Sequence, residues 1–426
     1  MRQRNFTLLI IILVLILAFL FGWFYFFPPK NNTEGESSSF VNFLADFIPF
    51  VGNDKENNIN PDTNNEDISG FVDELVPDLS LIKLVKISTF PVSGYGVFMK
   101  ERYESIPEED ASSAENPTPP SADLHPYIRY VERATGNIYQ TFADQIEERQ
   151  FSSAVIPIVY EALFGNNGES VILRYLKNNT NNIESFLGKL PKEQLGGDSG
   201  EILGLNGSFL PENISSMSVS PDQSTLFYLL STDTISLGTT VNLQTNLKTQ
   251  IFDSSLSEWT SDWPISNKIT LTTKPSYNSL GYMYTVNPSS KSLNKILSGI
   301  SGLTTLMSPD GEKVIYADNT LSLYLYEIDS GKTSSIGIKT LPEKCVWSKI
   351  NPVLYCAVPS FLSGSQYPDT WYQGIESFSD DIWMVNTNTG NTTKIASPMS
   401  LVSLDIDAFR LAVDKNEEFL FFMNNK

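Results

Sequence analysis

Met217-Ser-Val-Ser-Pro-Asp-Gln-Ser-Thr-Leu-Phe-Tyr228 and Leu306-Met-Ser-Pro-Asp-Gly-Glu-Lys-Val-Ile-Tyr316 are two copies of one unit. In each, an apolar stretch runs into Ser-Pro-Asp, turns, and resumes as a β-rich run. Proline presets the first turn position, and Asp and Gly tolerate the backbone conformations that follow. Fainter copies align at Ala162–Gly168, Trp263–Lys268, Trp347–Pro352 and Val413–Glu417. The turns recur at intervals of roughly 40 to 65 residues, close to the length of one four-stranded blade plus its loops. A repeat of this kind predicts an all-β chain folded as a β-propeller.

A second hairpin recurs between these turns: a strand rich in large side chains, a Gly- or Asn-containing turn, then an outer strand. It reads Tyr324–Lys332, Trp383–Gly390 and Tyr284–Lys291, and once far upstream as Tyr127–Tyr139. The C-terminal run Phe419–Met423 stops after an inner strand and lacks its own second hairpin. Strands near 81–99 and 127–142 are expected to complete that blade, which would close the ring and remove an exposed sheet edge. The turns and this N-terminal contribution give six or seven blades, with seven as the expectation. The propeller is placed at 80–426, with a mobile acidic, proline-rich insertion at 100–126 and a helical or looped connection at Ala143–Ser153.

Phe6–Phe27 is uncharged and almost wholly apolar. At about 1.5 Å per residue it is long enough to cross a hydrocarbon core of about 30 Å. Arg2 and Arg4 precede it, which places residues 1–5 in the cytoplasm and the C-terminal domain outside. Bulky aromatics and Pro28-Pro29 follow, rather than the small residues of a cleavage site, so the segment reads as an uncleaved anchor. Residues 28–79 read as a disordered acidic tether, interrupted by an apolar patch from Phe40 to Val51.

The chain's 426 residues carry a formal charge of −20. That excludes nucleic acid, whose phosphates demand clustered Lys and Arg. Only two cysteines exist, Cys345 and Cys356. Folding the hairpin between them about Ile350/Asn351 sets them opposite each other, a candidate disulfide in an oxidising compartment.

The Ser-Pro-Asp-(Gly) turn followed by a β run resembles the WD40-like repeats of TolB-type periplasmic propellers and of the propeller domain of prolyl oligopeptidases. Ser220-Pro221-Asp222 and Ser308-Pro309-Asp310-Gly311 carry the resemblance across roughly residues 81–426. It implies the architecture and says little of function, and departs from true WD40 repeats in lacking Gly-His and Trp-Asp pairs.

No catalytic constellation emerges. There is no Gly-x-Ser-x-Gly elbow, and the single histidine, His125, adjoins the 100–126 insertion. Two Cys and one His cannot furnish a zinc site by themselves, and no metal or cofactor pattern is present. Asp380, Asp381, Asp405 and Asp407 are the nearest approach to a carboxylate cluster. Adjacent strand residues face opposite ways, so they read as solvated loop acids. The expected function is a non-catalytic binding or scaffold module for a protein, peptide or cell-envelope polymer. The alternative is an envelope glycan or peptide hydrolase using carboxylates. Trp371 and Tyr372, in the long Ser363–Ser379 insertion, are the candidate partner contacts.

Overall fold

The computed structural model describes residues 82–103, 122–154, 156–177, 180–191, 203–364 and 366–426. The expected anchor at 6–27 and tether at 28–79 lie outside these. Among the described residues no helix is long and apolar enough to cross a membrane.

The chain is an all-β propeller. Its first sheet contains β1 (Val92–Tyr103), β2 (Ala122–Glu132), β3 (Ile138–Phe142) and β4 (Arg149–Ser153). The second begins with β5 (Val159–Gly165), β6 (Ser170–Leu176) and β7 (Ile183–Lys189). Next the chain sends β8 (Leu203–Gly204) back to lie parallel beside β4, and β9 (Asn206–Phe209) pairs with β7. The third sheet is β10 (Ile214–Val219), β11 (Thr225–Ser231), β12 (Ser236–Asn242) and β13 (Lys248–Ser254). The fourth is β14 (Trp259–Ile265), β15 (Lys268–Thr273), β16 (Leu280–Val286) and β17 (Leu293–Ser301). The fifth is β18 (Thr304–Met307), β19 (Lys313–Ala317), β20 (Ser322–Glu327) and β21 (Thr333–Lys339). The sixth is β22 (Cys345–Trp347), β23 (Val353–Pro359), β24 (Asp380–Asn386) and β25 (Thr392–Ala396). Last come β26 (Ala408–Val413) and β27 (Leu420–Asn424), which among the described residues pair only with each other.

There are thus six complete blades and a two-stranded C-terminal sheet, and the expectation of seven blades is corrected. The N-terminal strands do not complete the last blade. Instead β1 pairs along its length with β2, and β2 with β3. Pairing strands that are near neighbours in sequence costs less closure entropy than recruiting a strand from the other end of the chain. Residues 82–91 approach the C-terminal sheet by side-chain packing instead. Leu84 joins Ile406, Ala408 and Leu420, while Phe90 packs with Tyr130 near Phe421.

Blades stack face to face, so a middle strand is covered on both faces. In β11, Leu226, Phe227, Tyr228 and Leu229 are all buried, and the sequence there reads as a continuous apolar run rather than an alternation. The first strands of successive sheets converge on the axis. A Cβ on Gly94 of β1 would lie 2.0 Å from the Ala162 carbonyl oxygen of β5, so only glycine fits that approach.

Two of the expected irregular segments are partly strand. Residues 100–103 and 122–126 belong to the β1–β2 ladder, where His125 faces Lys100, and only 104–121 lie outside the described residues. Likewise Arg149–Ser153 is β4, the outer strand of the first blade.

The Ser-Pro-Asp turns close by the same chemistry twice. Ser220 Oγ donates to Asp222 (2.5 Å), and Asp222 accepts the Ser224 backbone N–H (3.1 Å). Ser308 Oγ donates to Asp310 (2.5 Å), which accepts the Glu312 N–H (2.9 Å), and Ser308 Oγ accepts the Lys313 N–H (2.9 Å). The Ser220 hydroxyl holds the Asp222 carboxyl below its ordinary range. The following residue, Gln223 or Gly311, takes a positive φ of 59° or 72°, which costs Gln and not Gly. Neighbouring turns touch: the Asn166 N–H donates to the Gln223 carbonyl (2.7 Å), and Lys268 Nζ to the Gly311 carbonyl (2.8 Å).

Ser308→Ala removes a buried hydroxyl that serves both Asp310 and the Lys313 N–H. It should lower unfolding free energy by about 1–3 kcal/mol, with no change in the slope against denaturant. A loss below about 0.5 kcal/mol in urea titration would show that proline and glycine alone set the turn.

Candidate functional site

The first three strands of each complete blade alternate in direction. The Ser-Pro-Asp-type turns therefore leave the ring at one end, and the second-to-third-strand loops leave it at the other. On the sixth blade that other end is elaborated. The β23–β24 loop is a long insertion containing the short helix α1 (Asp369–Tyr372), and β25 leads into α2 (Pro398–Val402) before β26.

A buried charge cluster anchors these segments. Lys344, just before β22, has a fully buried side chain. Its ammonium group contacts Asp380 Oδ2 at 2.7 Å and Asp407 Oδ1 more closely still. Asp407 also accepts from Trp371 Nε1 (3.0 Å), Ser377 Oγ (3.3 Å) and Asn425 Nδ2 (3.4 Å). Asp380 Oδ2 accepts the Ala408 backbone N–H at 2.7 Å, while Oδ1 is buried without a partner. The ammonium also lies 5.5 Å from the Trp371 ring centroid and 5.3 Å from that of Phe378. Five segments, the turn before β22, the insertion, β24, the start of β26 and the chain end, thus meet on one lysine.

Two carboxylates facing one ammonium leave a net negative charge in a dry site. Burial first, with the Asp407 charge adding to it, pushes the Asp380 carboxyl up to about 6 against the opposing pull of Lys344 and the Ala408 N–H. Protonation at the unpartnered Oδ1 makes the cluster neutral.

The opposite flank of β26 carries a second network. Tyr95 of β1 donates its hydroxyl to the Arg410 carbonyl at 2.5 Å. Arg410, at φ 51° within an irregularity of β26, reaches Glu161 of β5, which also pairs with the buried Arg174 of β6. Arg174 in turn donates to the Ile214 carbonyl of β10.

The sequence-derived site residues fall as follows. Cys345 and Cys356 oppose each other in the β22–β23 register and are joined, with an S–S distance of 2.09 Å. Trp371 is only 8 % exposed and is spent on Asp407, so it is a core residue and not a partner contact. Tyr372 is 43 % exposed and donates its hydroxyl to Glu343. Asp380 and Asp407 are buried and paired with Lys344, not solvated loop acids. Asp381 and Asp405 do face outward, toward Lys394 (3.4 Å) and Lys426. His125 lies on β2 beside Arg102 and Asp144. Among the described residues no three His, Cys, Asp or Glu side chains gather to hold a metal.

Several exposed apolar residues stand at this same end of the sixth blade, among others spread over the ring. Phe361 is 75 % and Ile375 72 % exposed in the insertion, and Met399, Leu401 and Leu404 are exposed in and just after α2. Of the two residues expected at a contact, Trp371 is buried and Tyr372 is exposed. An indole in a loop looks available until a buried acceptor for its N–H is known.

No family model matches the chain, and no curated protein sequence does. Among solved structures, an oligogalacturonate lyase in complex with manganese is similar at 10 % identity and TM-score 0.49, covering 70 % of this chain and 82 % of that one. TolB from Acinetobacter baumannii is similar at 10 % identity and TM-score 0.39, over 70 % and 78 %. The propeller domain of the trilobed protease from Pyrococcus furiosus is similar at 12 % identity and TM-score 0.40, over 61 % and 75 %.

Asp380 has a folded pKa above its unfolded value of about 3.9, so its contribution to stability is full below that value and lost as pH rises through about 6. Asp380→Asn should remove this fall. Relative to the variant, the natural chain should lose on the order of 2–3 kcal/mol between pH 4 and pH 7 in urea unfolding. Parallel curves for the two would show that Asp380 stays ionised throughout. Lys344→Met, which strands two buried carboxylates, should cost about 3–5 kcal/mol at pH 7.

Proposed function

We propose that this chain is a membrane-anchored, extracytoplasmic propeller that binds a protein or peptide partner without catalysing a reaction on it. The observation that carries the reading is the pairing of exposed apolar side chains with a fixed base. Phe361, Ile375, Met399, Leu401 and Leu404 stand on segments that the Lys344 cluster and its flanking hydrogen bonds tie together. Large apolar side chains left in water on a rigid support are the usual makings of a contact surface. Complexes that form on rigid supports lose little conformational entropy.

Phe6–Phe27 supplies the anchor and residues 28–79 the reach, with the short basic N-terminus inside and the propeller outside. A disulfide at Cys345–Cys356 suits that oxidising location. A hydrolase acting on envelope glycans or peptides would need a carboxylate pair open to substrate. The two tightest carboxylate sites, Asp380/Asp407 and Glu161, are instead engaged by Lys344 and by two arginines. An envelope polymer is a less fitting ligand for this surface than a protein, because its exposed residues are aliphatic and phenyl rather than polar.

Crosslinking of the tagged full-length chain in native membranes tests the reading. A Phe361→Ser/Ile375→Ser double variant should keep its thermal stability within about 2 °C and lose the crosslinked partner. Equal capture by both forms would remove this surface from the interface, and turnover of a cell-wall substrate by the purified protein would reverse the non-catalytic reading. Membrane attachment is checked by alkaline extraction. The full chain should stay with the membrane, and a chain lacking residues 6–27 should be released.

A further inference from the structure

At the turn end of the ring, opposite the elaborated face, the innermost strands line an open cavity of about 360 Å³. Its walls come from β1 (Tyr95, Phe98), β5 (Phe164), β10 (Met217) and the turn that follows β10. They mix apolar and aromatic side chains with the polar Ser218, Ser220 and Gln223, and Phe98 and Phe164 are in edge-to-face contact at 6.1 Å. One ionisable acid reaches this cavity: Asp262 of β14.

Asp262 is partly buried. One carboxylate oxygen accepts the Trp263 backbone N–H at 2.8 Å. Among the described residues no Lys, Arg or His lies within ion-pair distance of it, and none lines the cavity. Asp380, Asp407 and Glu161 all have a cation from the chain itself. Burial raises the Asp262 carboxyl above its ordinary range, the signature of a charge left without compensation. A carboxylate at the wall of an aromatic cavity is costly to keep unless something cationic visits it.

We propose that this cavity is a binding site for a monocation on an apolar stem, an ammonium or guanidinium group, with Asp262 as counter-ion and Tyr95, Phe98, Phe164 and Met217 around the stem. The charge is recognised by the carboxylate and by the faces of the aromatic rings, and the stem by the apolar walls. A small organic amine and the side chain of a lysine or arginine in a peptide share this chemistry. The site stands apart from the apolar face of the sixth blade and does not depend on it.

The experiment is ligand-observed NMR titration of the full-length chain with n-pentylammonium, with 1-pentanol as the neutral counterpart and with acetyl-Ala-Lys-Ala-amide. The same titrations are run on Asp262→Asn and on Leu163→Phe, which fills the cavity from β5. The expected result is millimolar or tighter binding of pentylammonium. It should weaken at least about ten-fold in Asp262→Asn and vanish in Leu163→Phe, while pentanol binds weakly and equally to the natural chain and Asp262→Asn. Tighter binding of the tripeptide than of the free amine assigns the site to peptide side chains, and the reverse assigns it to small amines; both uphold it. Equal binding of amine and alcohol, indifference to Asp262→Asn, or no binding of any cationic probe overturns it. Asp262→Asn neutralises a desolvated charge and should fold with unchanged or higher thermal stability, so a loss of binding will report on recognition and not on the fold.

Discussion

The structure depends on how a ring is closed by a sheet that is too small. Among the described residues β26 and β27 pair as strands only with each other, and no strand from the N-terminal end joins them. A two-stranded sheet is marginal by itself. Here β26 is fixed on one flank by Lys344 through Asp407 and through the Asp380–Ala408 hydrogen bond. On the other it is fixed by the Tyr95–Arg410–Glu161–Arg174 chain. Side-chain electrostatics thus replace the backbone ladder that would otherwise join first and last blades. Such pairs are directional where apolar packing is not, and they fix the angle at which the last sheet meets its neighbours.

The same constraint explains where the adaptable surface lies. The Lys344 cluster is built from the turn before β22, the long insertion, β24 and the chain end, so the segments needed for closure also form the base of the elaborated face. Trp371 and Phe378 are drawn inward to flank the ammonium group. With those two aromatics committed, Phe361 and Ile375 are left outside. The two ends of the ring consequently differ in chemistry. One carries regular turns that hydrogen-bond from blade to blade, with an acid-walled cavity beneath them; the other carries irregular loops with apolar tips.

The propeller was legible because turn chemistry is local. Ser308, Pro309, Asp310 and Gly311 satisfy one another within a few residues, and no distant partner is needed to predict the reversal. Cys345 and Cys356 were legible for the same reason, since a short hairpin fixes which residues oppose. Asp380 and Asp407 were not. Nothing near either residue announces a buried lysine, and an Asp in a polar stretch looks solvated until its partner is placed. Trp371 misled in the same way, its acceptor lying on the next sheet.

The sequence by itself determined the β-rich repeat, the turns, the cysteine-bearing hairpin and an apolar N-terminal stretch long enough for a bilayer, because each depends on neighbours close in the chain. Only the tertiary structure decided the number of complete blades, the manner of closure, and which acids are paired and which stand alone. Those outcomes turn on contacts such as Lys344 with Asp407 and Arg410 with Glu161, between residues far apart in sequence. The energy of a buried charge depends on the partner that folding brings to it, and no local pattern encodes that partner.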